Sequence, residues 1–214
     1  MNIETAYSSW APRYDSDRNL TRDLDQTVTT ALLHSCRIAM TIEAGCGTGK
    51  NTAFFAGISD VVLALDFSPG MLARARQRTR EANVDFRRAD LTEPWPCIAG
   101  TAALVSCNLV LEHIENIDHV FSEAARVLAA DGLFLVSELH PHRQYLGSQA
   151  RFTDERQIET RITAYTHHIS DFLRAASAAD LRLVTLEESW HPEDDTAKSP
   201  RLISFMFRKP AHND

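Results

Sequence analysis

Short apolar runs recur along the chain and are separated by amphipathic stretches. The run Val61-Val62-Leu63-Ala64-Leu65 is apolar at every position and therefore on both faces of a strand. Such a run is typical of a parallel strand that helices cover on both sides. By this criterion the chain is predicted to form strands over 38–43, 61–66, 84–88, 102–108, 133–138, 181–187 and 202–207.

Helical patterns occupy most of the intervals between these strands. We predict helices over 51–56, 68–82, 116–129 and 169–179, and further helices within residues 1–36. Ser68-Pro69 is a typical helix start, with serine as N-cap and proline in the first turn. Alternating strands and helices predict an α/β fold with a doubly wound, mostly parallel, seven-stranded, Rossmann-like sheet. The last two strands are joined by residues 189–200 without a helix, so we expect the final strand to be antiparallel.

Composition narrows the classes of protein. The 214 residues are 44% hydrophobic, which suits a single domain over 1–214. No apolar run approaches the ~18 residues of a membrane span, and the N-terminus lacks the pattern of a signal peptide. A net charge of −7 argues against nucleic acid as partner. The four cysteines include no C-x-x-C pair, so we predict no metal site and reduced thiols in a cytoplasmic protein.

The first predicted strand ends in a glycine cluster. Gly45, Gly47 and Gly49 are three of only eight glycines in the chain, and glycine lets a ligand approach the backbone without a Cβ clash. Lys50 stands where a dinucleotide fingerprint requires its third glycine, so that motif is not matched. Glu43 beside the loop favours a cationic ligand over a phosphate. The loop therefore fits a nucleoside with an amino-acid tail.

Two further acids follow predicted strands. Ligands of such sheets bind outside the carboxyl ends of the strands. Asp66, at the end of the second strand, could accept hydrogen bonds from ribose hydroxyls or cap the next helix. Asp90, after the third strand, could accept from an adenine amine or pair with Arg87 or Arg88.

Five segments occur in an order and spacing that resemble the class I S-adenosylmethionine-dependent methyltransferases. They are Glu43-Ala44-Gly45-Cys46-Gly47-Thr48-Gly49, Leu65-Asp66-Phe67-Ser68-Pro69-Gly70-Met71, Ala89-Asp90-Leu91, Asn108-Leu109-Val110-Leu111-Glu112-His113-Ile114 and Arg126-Val127-Leu128-Ala129-Ala130-Asp131-Gly132. The resemblance spans roughly residues 36–140 and points to the small-molecule, ubiquinone and biotin biosynthesis-like enzymes of type 11. These also carry an N-terminal Tyr-Asp, here Tyr14-Asp15.

The resemblance implies S-adenosyl-L-methionine as cofactor and a set of residues to bind it. Glu43 and the glycine backbone would hold the methionine portion, Asp66 the ribose, and Tyr14 would belong to a lid. The full set is Tyr14, Glu43, Gly45, Cys46, Gly47, Asp66, Phe67, Met71, Asp90, Leu91, Asn108 and Leu109.

The acceptor is expected to be a small organic molecule methylated on oxygen or nitrogen, by a monomer or homodimer. The sequence after strand four, Asn108-Leu109-Val110-Leu111, lacks the Pro-Pro motif of enzymes that methylate base amines. A hydroxyl acceptor can need a base, and His140 follows the fifth strand as the candidate. Residues 1–36 are predicted to form a lid, and 140–167 an acceptor cap whose arginines could bind an acidic substrate or form a solvated face.

Other functions stay open at this point. One is carboxyl methylation of a carrier-bound acyl substrate, with docking on a helix that carries Arg74, Arg76, Arg78 and Arg80; the alternative for those arginines is a solvated helix face. Another is a protein that binds S-adenosylmethionine without transferring its methyl group.

Overall fold

The computed structural model describes residues 3–153 and 159–211. Its helices are α1 (Ile3–Tyr14), α2 (Leu20–Leu33), α3 (Thr52–Ile58), α4 (Pro69–Arg78), α5 (Ile117–Val127), α6 (Pro141–Tyr145) and α7 (Ile169–Ala178), with a 3-10 turn at Leu111–His113. Its strands are β1 (Ile38–Ala44), β2 (Ser59–Asp66), β3 (Val84–Arg88), β4 (Ala102–Asn108), β5 (Leu128–Leu139), β6 (Arg151–Thr153), β7 (Glu159–Arg161), β8 (Arg182–Ser189) and β9 (Leu202–Arg208).

Seven strands form one sheet in the order β3-β2-β1-β4-β5-β9-β8. The first five are parallel, while β9 lies antiparallel between β5 and β8, with Phe134 opposite Phe207. The predicted doubly wound sheet and its antiparallel last strand are therefore confirmed. The reason is the connection between β8 and β9, which contains no helix to carry the chain back across the sheet.

Apolar side chains alternate between two cores, one on each face of the sheet. Along β2, Leu63 and Leu65 join the core that contains Phe121 and Phe207, while Val62 and Ala64 join the core on the other face. This double burial explains why the strand is apolar at consecutive positions.

The chain runs outward from β1 to β3 and then returns to the other side of β1 with β4. Glu43 of β1 pairs with Ser106 of β4, so the loops that follow these strands leave the same edge of the sheet. Ligands bind at such a reversal of strand order. The N-terminal helices predicted within 1–36 are confirmed as α1 and α2, and α1 packs on α4, where Ser8 Oγ lies 2.8 Å from Ser68 Oγ.

Two predicted boundaries were wrong. Helix α4 ends at Arg78 because Thr79 is buried in an extended conformation, so Arg80 lies beyond the helix and is no helical partner of Arg76. Strand β5 begins at Leu128, because the chain becomes extended directly after α5 and Leu128 already pairs with Ala102 of β4. The predicted cap over 140–167 contains α6 and the β6–β7 hairpin, and its residues 154–158 lie outside the described part of the chain.

The longest helix, α2, has 14 residues. Within the ranges that the structure describes, no helix combines the length and the apolar character that crossing a bilayer requires.

Candidate active site

A cavity of about 250 Å³ lies at the carboxyl edge of β1, β2 and β4. All twelve residues predicted to bind a cofactor line it, together with residues of α1 and α2 that cover it. The predicted members are Tyr14, Glu43, Gly45, Cys46, Gly47, Asp66, Phe67, Met71, Asp90, Leu91, Asn108 and Leu109. The chain therefore brings together residues from positions 14 to 109.

The glycine loop requires its glycines for two different reasons. Gly45 has a φ of 84°, and a Cβ there would lie 2.2 Å from Cγ2 of Val110, so the loops after β1 and β4 touch only because the side chain is missing. Gly47 has a φ of 53° and would place a Cβ in open space. Gly45 lets the loops after β1 and β4 pack together as one side of the cavity, and Gly47 leaves space beside the loop for a ligand.

Asp66 ties this loop to the end of β2. Its Oδ2 accepts from the backbone N–H of Gly47 at 2.9 Å and its Oδ1 from that of Ser68 at 2.8 Å. Burial raises the pKa of Asp66 to about 6, although the two backbone hydrogen bonds lower it. Each oxygen keeps a further lone pair, which is what two ribose hydroxyls need. Asp66 is not the cap of α4, because Ser68 takes that role: its Oγ accepts from Met71 N at 3.2 Å.

Glu43 lies under the loop and is 5% exposed. Thr52 Oγ1 donates to its Oε2 at 2.5 Å. Burial, together with the nearby Asp25 and Asp66, raises the pKa of Glu43 to about 8, although the hydrogen bond from Thr52 lowers it. Several buried carboxyl groups around one cavity are stabilised by a cation among them.

Asp25 of α2 is the third buried acid of this cavity, and it is not among the residues predicted from the sequence. Asn108 Nδ2 donates to its Oδ1 at 2.8 Å, and Asn51 Nδ2 donates to its Oδ2 at 2.9 Å. Burial raises the pKa of Asp25, and these hydrogen bonds oppose the rise. The only available signal was a polar residue on the buried face of an amphipathic helix, next to Leu24. Asp25 anchors α2 over the carboxyl end of β4.

The turn after β4 holds an unusual backbone conformation. Leu109 has a φ of 56°. Residues other than glycine rarely adopt such a backbone conformation, and those that do are often found at functional sites. Glu138 Oε1 stabilises the turn by accepting from Val110 N at 2.9 Å and Leu111 N at 2.7 Å. Asn108 itself donates inward to Asp25, so its side chain helps to shape the cavity wall.

The other end of the cavity is more apolar. Met71 and Leu91 are buried there, and Phe67 is half-buried. Asp90 is exposed, and its Oδ1 accepts from Thr92 N at 2.9 Å and Thr92 Oγ1 at 2.7 Å. The alternative ion pair of Asp90 is not formed, because Arg87 pairs with Asp85 and Arg88 with Glu4. This end suits a flat heterocycle with an acceptor at its rim.

A second cavity, of about 500 Å³, adjoins the first. The two share Tyr7, Tyr14, Arg22 and Leu109. The second cavity is bordered by α1, α2 and the segment that follows β5. A molecule held there meets the first cavity at these four residues.

A tyrosine–histidine pair stands at this junction. Tyr7 Oη lies 2.6 Å from His113 Nε2, and His113 Nδ1 lies 3.0 Å from the carbonyl oxygen of Thr163. Because that carbonyl can only accept, neutral His113 carries its proton on Nδ1, and Tyr7 donates to Nε2. Burial raises the pKa of Tyr7 well above its ordinary value.

His140, the predicted base, lies elsewhere. It caps α6, its Nδ1 accepts from His142 N at 3.1 Å, and its Nε2 lies 2.9 Å from Glu188 Oε1. The ring is almost fully buried and borders neither of the two cavities. His113, unlike His140, borders the first cavity.

Comparisons with known proteins agree with this architecture. A family model described as a methyltransferase domain matches residues 42–136. An uncharacterized methyltransferase of Emericella nidulans is 31% identical over 224 aligned residues, covering 86% of this chain and 78% of that protein. The malonyl-[acyl-carrier protein] O-methyltransferase of Serratia marcescens is 30% identical over 193 residues, covering 84% and 73%.

A solved structure shares the fold at low sequence identity. N-methyltransferase NodS of Bradyrhizobium japonicum, in complex with S-adenosyl-L-homocysteine, superposes with a TM-score of 0.74 at 16% identity. The match covers 98% of this chain and all of that one.

Proposed function

Because the chain belongs to the class I S-adenosylmethionine-dependent methyltransferases, of the type 11 kind, we propose that it methylates an oxygen or nitrogen atom of a small organic molecule. S-adenosyl-L-methionine is its cofactor. The observation that carries the proposal is the junction at which the cofactor cavity opens into a second cavity large enough for a separate acceptor.

The residues of the first cavity fit this cofactor. Glu43 and the backbone of the glycine loop would hold the methionine portion, and the cluster of buried carboxyl groups matches a cationic ligand. Asp66 would accept from the ribose hydroxyls, and Met71 and Leu91 would contact the adenine. When bound, the cofactor supplies an electrophilic methyl group on a sulfonium. The protein's main task is then alignment of the two reactants.

An acceptor hydroxyl or amine also has to lose a proton. We place this task on Tyr7 and His113. The acceptor proton passes to the oxygen of Tyr7 as the tyrosine proton passes to Nε2 of His113. The resulting imidazolium is stabilised by Thr163 O and by Glu112, whose Oε1 lies 3.6 Å from the ring.

Carboxyl methylation of a carrier-bound acyl chain is the second candidate. The relative in Serratia marcescens carries a name of that kind. The arginines of α4, however, already have partners within the chain: Arg74 donates to Pro12 O, Arg76 to Phe86 O, and Arg78 pairs with Asp15. These contacts favour a small acceptor over a carrier protein docked on this helix.

The test is a thermal-shift titration with S-adenosylhomocysteine, followed by methyl transfer across a panel of small acceptors. A ligand at 100 times its dissociation constant stabilises by about 2.7 kcal/mol, which raises Tm by roughly 2–4 °C per kcal/mol at this size. Asp66→Ala should lose most of the shift. Asp60→Ala, which removes an exposed acid from the same strand, should keep it.

Two results would contradict the proposal. One is a cofactor-dependent shift that Asp66→Ala leaves intact. The other is normal binding of S-adenosylhomocysteine with transfer to acyl carrier proteins but to no free small molecule.

A further inference from the structure

The second cavity is rich in arginine although the chain as a whole is acidic. Among the described residues, five arginines border it, and the net charge of the protein is −7. They are Arg18, Arg22, Arg143, Arg151 and Arg201. Positive charges collected around a cavity attract anionic ligands. An arginine contributes to this attraction only as far as its charge is not neutralised by a carboxylate of the protein.

Arg22 is the most informative of the five. It is 8% exposed, and among the described residues no carboxylate oxygen lies within 4.0 Å of its guanidinium. Its Nη1 donates to Tyr14 O at 2.5 Å and its Nη2 to Asp17 O at 2.7 Å, while the ring of Tyr14 lies 3.9 Å from Cζ. Neutral carbonyls and an aromatic face orient the cation without neutralising it. A buried charge normally has a counter-ion.

Arg143 and Arg201 add a further positive charge. Both pair with one carboxylate, Asp194, whose pKa these contacts hold at about 2. Two guanidinium groups thus share a single anion. Arg18 is paired with Glu193 and adds no surplus.

Among the described residues, Glu112 is the one acid that borders this cavity. Glu112 is mostly buried, and burial raises the pKa of its carboxyl group. Its Oε2 has no hydrogen-bond partner among the described residues. Among the described residues that border the cavity, basic side chains therefore outnumber acidic ones.

We infer that the second cavity binds the methyl acceptor through a carboxylate of that acceptor, with Arg22 as its counter-ion and Arg143 and Arg201 as further contacts. The inference rests on the proposed function and names the substrate class. Arg22 borders both cavities, as do Tyr7 and Leu109. An acceptor anchored on this guanidinium would present its reactive end at the tyrosine–histidine pair.

The cofactor's own carboxylate is the other source of the same chemistry. A methionine carboxylate on Arg22 would satisfy that one cation, but it would leave the surplus at Arg143 and Arg201 without a ligand. The second cavity therefore favours the acceptor as the source.

The experiment is calorimetry on protein saturated with S-adenosylhomocysteine. Malonate, glutarate, pimelate and inorganic phosphate are titrated at millimolar concentrations, and each dicarboxylate is compared with its uncharged diamide. We expect at least one dicarboxylate to bind and its diamide to bind roughly tenfold more weakly or worse, as for hydrogen bonds between charged groups. Phosphate bound more tightly than every dicarboxylate would overturn the carboxylate assignment.

Variants then locate the site. Arg22→Gln should weaken the dicarboxylate roughly tenfold or more while leaving S-adenosylhomocysteine affinity within about twofold. Arg22→Lys should recover part of the loss. Arg143→Gln, which leaves Arg201 to pair with Asp194, gives an independent test should Arg22→Gln fold poorly, and Arg37→Gln, at the opposite end of β1, is the matched control.

The arms separate the sources of the carboxylate. If Arg22→Gln weakens S-adenosylhomocysteine but not methylthioadenosine, which lacks the amino-acid tail, Arg22 serves the cofactor and the inference is overturned. Equal binding of acids and diamides, or binding of neither, overturns it as well. Failure of the proposed function is distinct, because the wild-type protein would then either not bind S-adenosylhomocysteine or bind it and transfer methyl groups to acyl carrier proteins alone.

Discussion

The two cavities of this protein are built in opposite ways. The cofactor cavity gathers loops that follow β1, β2, β3 and β4, and three buried acids surround it. The second cavity joins α1, α2, the segment after β5 and the start of β9, and arginines border it. The first cavity is formed by the ends of strands that follow one another in the chain. The second is formed by segments that are distant in the sequence and pack against each other. The first cavity therefore follows from the order of the strands, whereas the second depends on how distant segments of the chain pack.

We expect the largest loss of stability from a change at the contact between the loops that follow β1 and β4. Gly45→Ala places a Cβ against Val110 and forces a φ of 84° on a residue with a side chain. We expect a loss of about 2–4 kcal/mol in unfolding free energy, with weakened cofactor binding, measured by urea denaturation and calorimetry. Gly57→Ala, on α3 with nothing near its Cβ, should be neutral or stabilise by up to about 1 kcal/mol. An equal effect of both changes would refute the contact.

The junction itself can be broken with Tyr7→Phe. The change removes the hydrogen bond to His113 but keeps the ring, so we expect the rate of methyl transfer to a hydroxyl acceptor to fall by about 10²-fold or more. Affinity for S-adenosylhomocysteine should stay unchanged. Tyr145→Phe is the matched control, because Tyr145 also bonds a histidine, His168, but lies outside both cavities. His140→Gln tests the base predicted from the sequence, and a loss there equal to that of Tyr7→Phe would reinstate it.

The charge difference between the cavities should show in their pH dependence. Glu43 has a pKa of about 8 in the free protein, so a cationic cofactor favours its ionised form and binding releases a proton. Affinity for S-adenosylmethionine should rise as the pH approaches about 8, and Glu43→Gln should flatten that rise. Binding of a dicarboxylate to arginines should change little over the same range. Calorimetry in two buffers of different ionisation enthalpy measures the released proton.

A further effect concerns the pH dependence of stability. Glu138 is buried, and its pKa lies at about 8 in the folded protein against an ordinary 4.5. The folded protein thus keeps a proton that the unfolded chain releases, and this contribution to stability is lost as pH rises from 4.5 to about 8. Glu138→Gln preserves an acceptor for Val110 and Leu111, and its unfolding free energy should decline less steeply over that interval. Parallel pH profiles of the two proteins would contradict the assignment.

Much of the cofactor cavity could be predicted from the sequence. Asp66 and Asn108 end a strand, and Gly45, Gly47 and Asp90 follow one. Parallel strands bring their carboxyl ends to one edge of the sheet. The order of the strands along the chain was therefore enough to predict that these residues lie close together, whatever the packing of their side chains. The doubly wound sheet followed for the same reason, because apolar runs alternate with helical patterns over nearly the whole chain.

The sequence predicted an acceptor cap over 140–167, but only the tertiary structure determined which side chains meet in the second cavity. Tyr7 meets His113 across 106 positions, and Asp25 and Arg22 reach the site only because α2 packs over the end of β4. His140 shows the converse: it follows β5 at the correct edge, yet its ring turns to Glu188 on β8. The positions of the strand ends follow from the order of strands and helices along the chain. Helix packing and side-chain direction depend on contacts between residues far apart in the chain, and the hydrophobic pattern does not reveal those contacts.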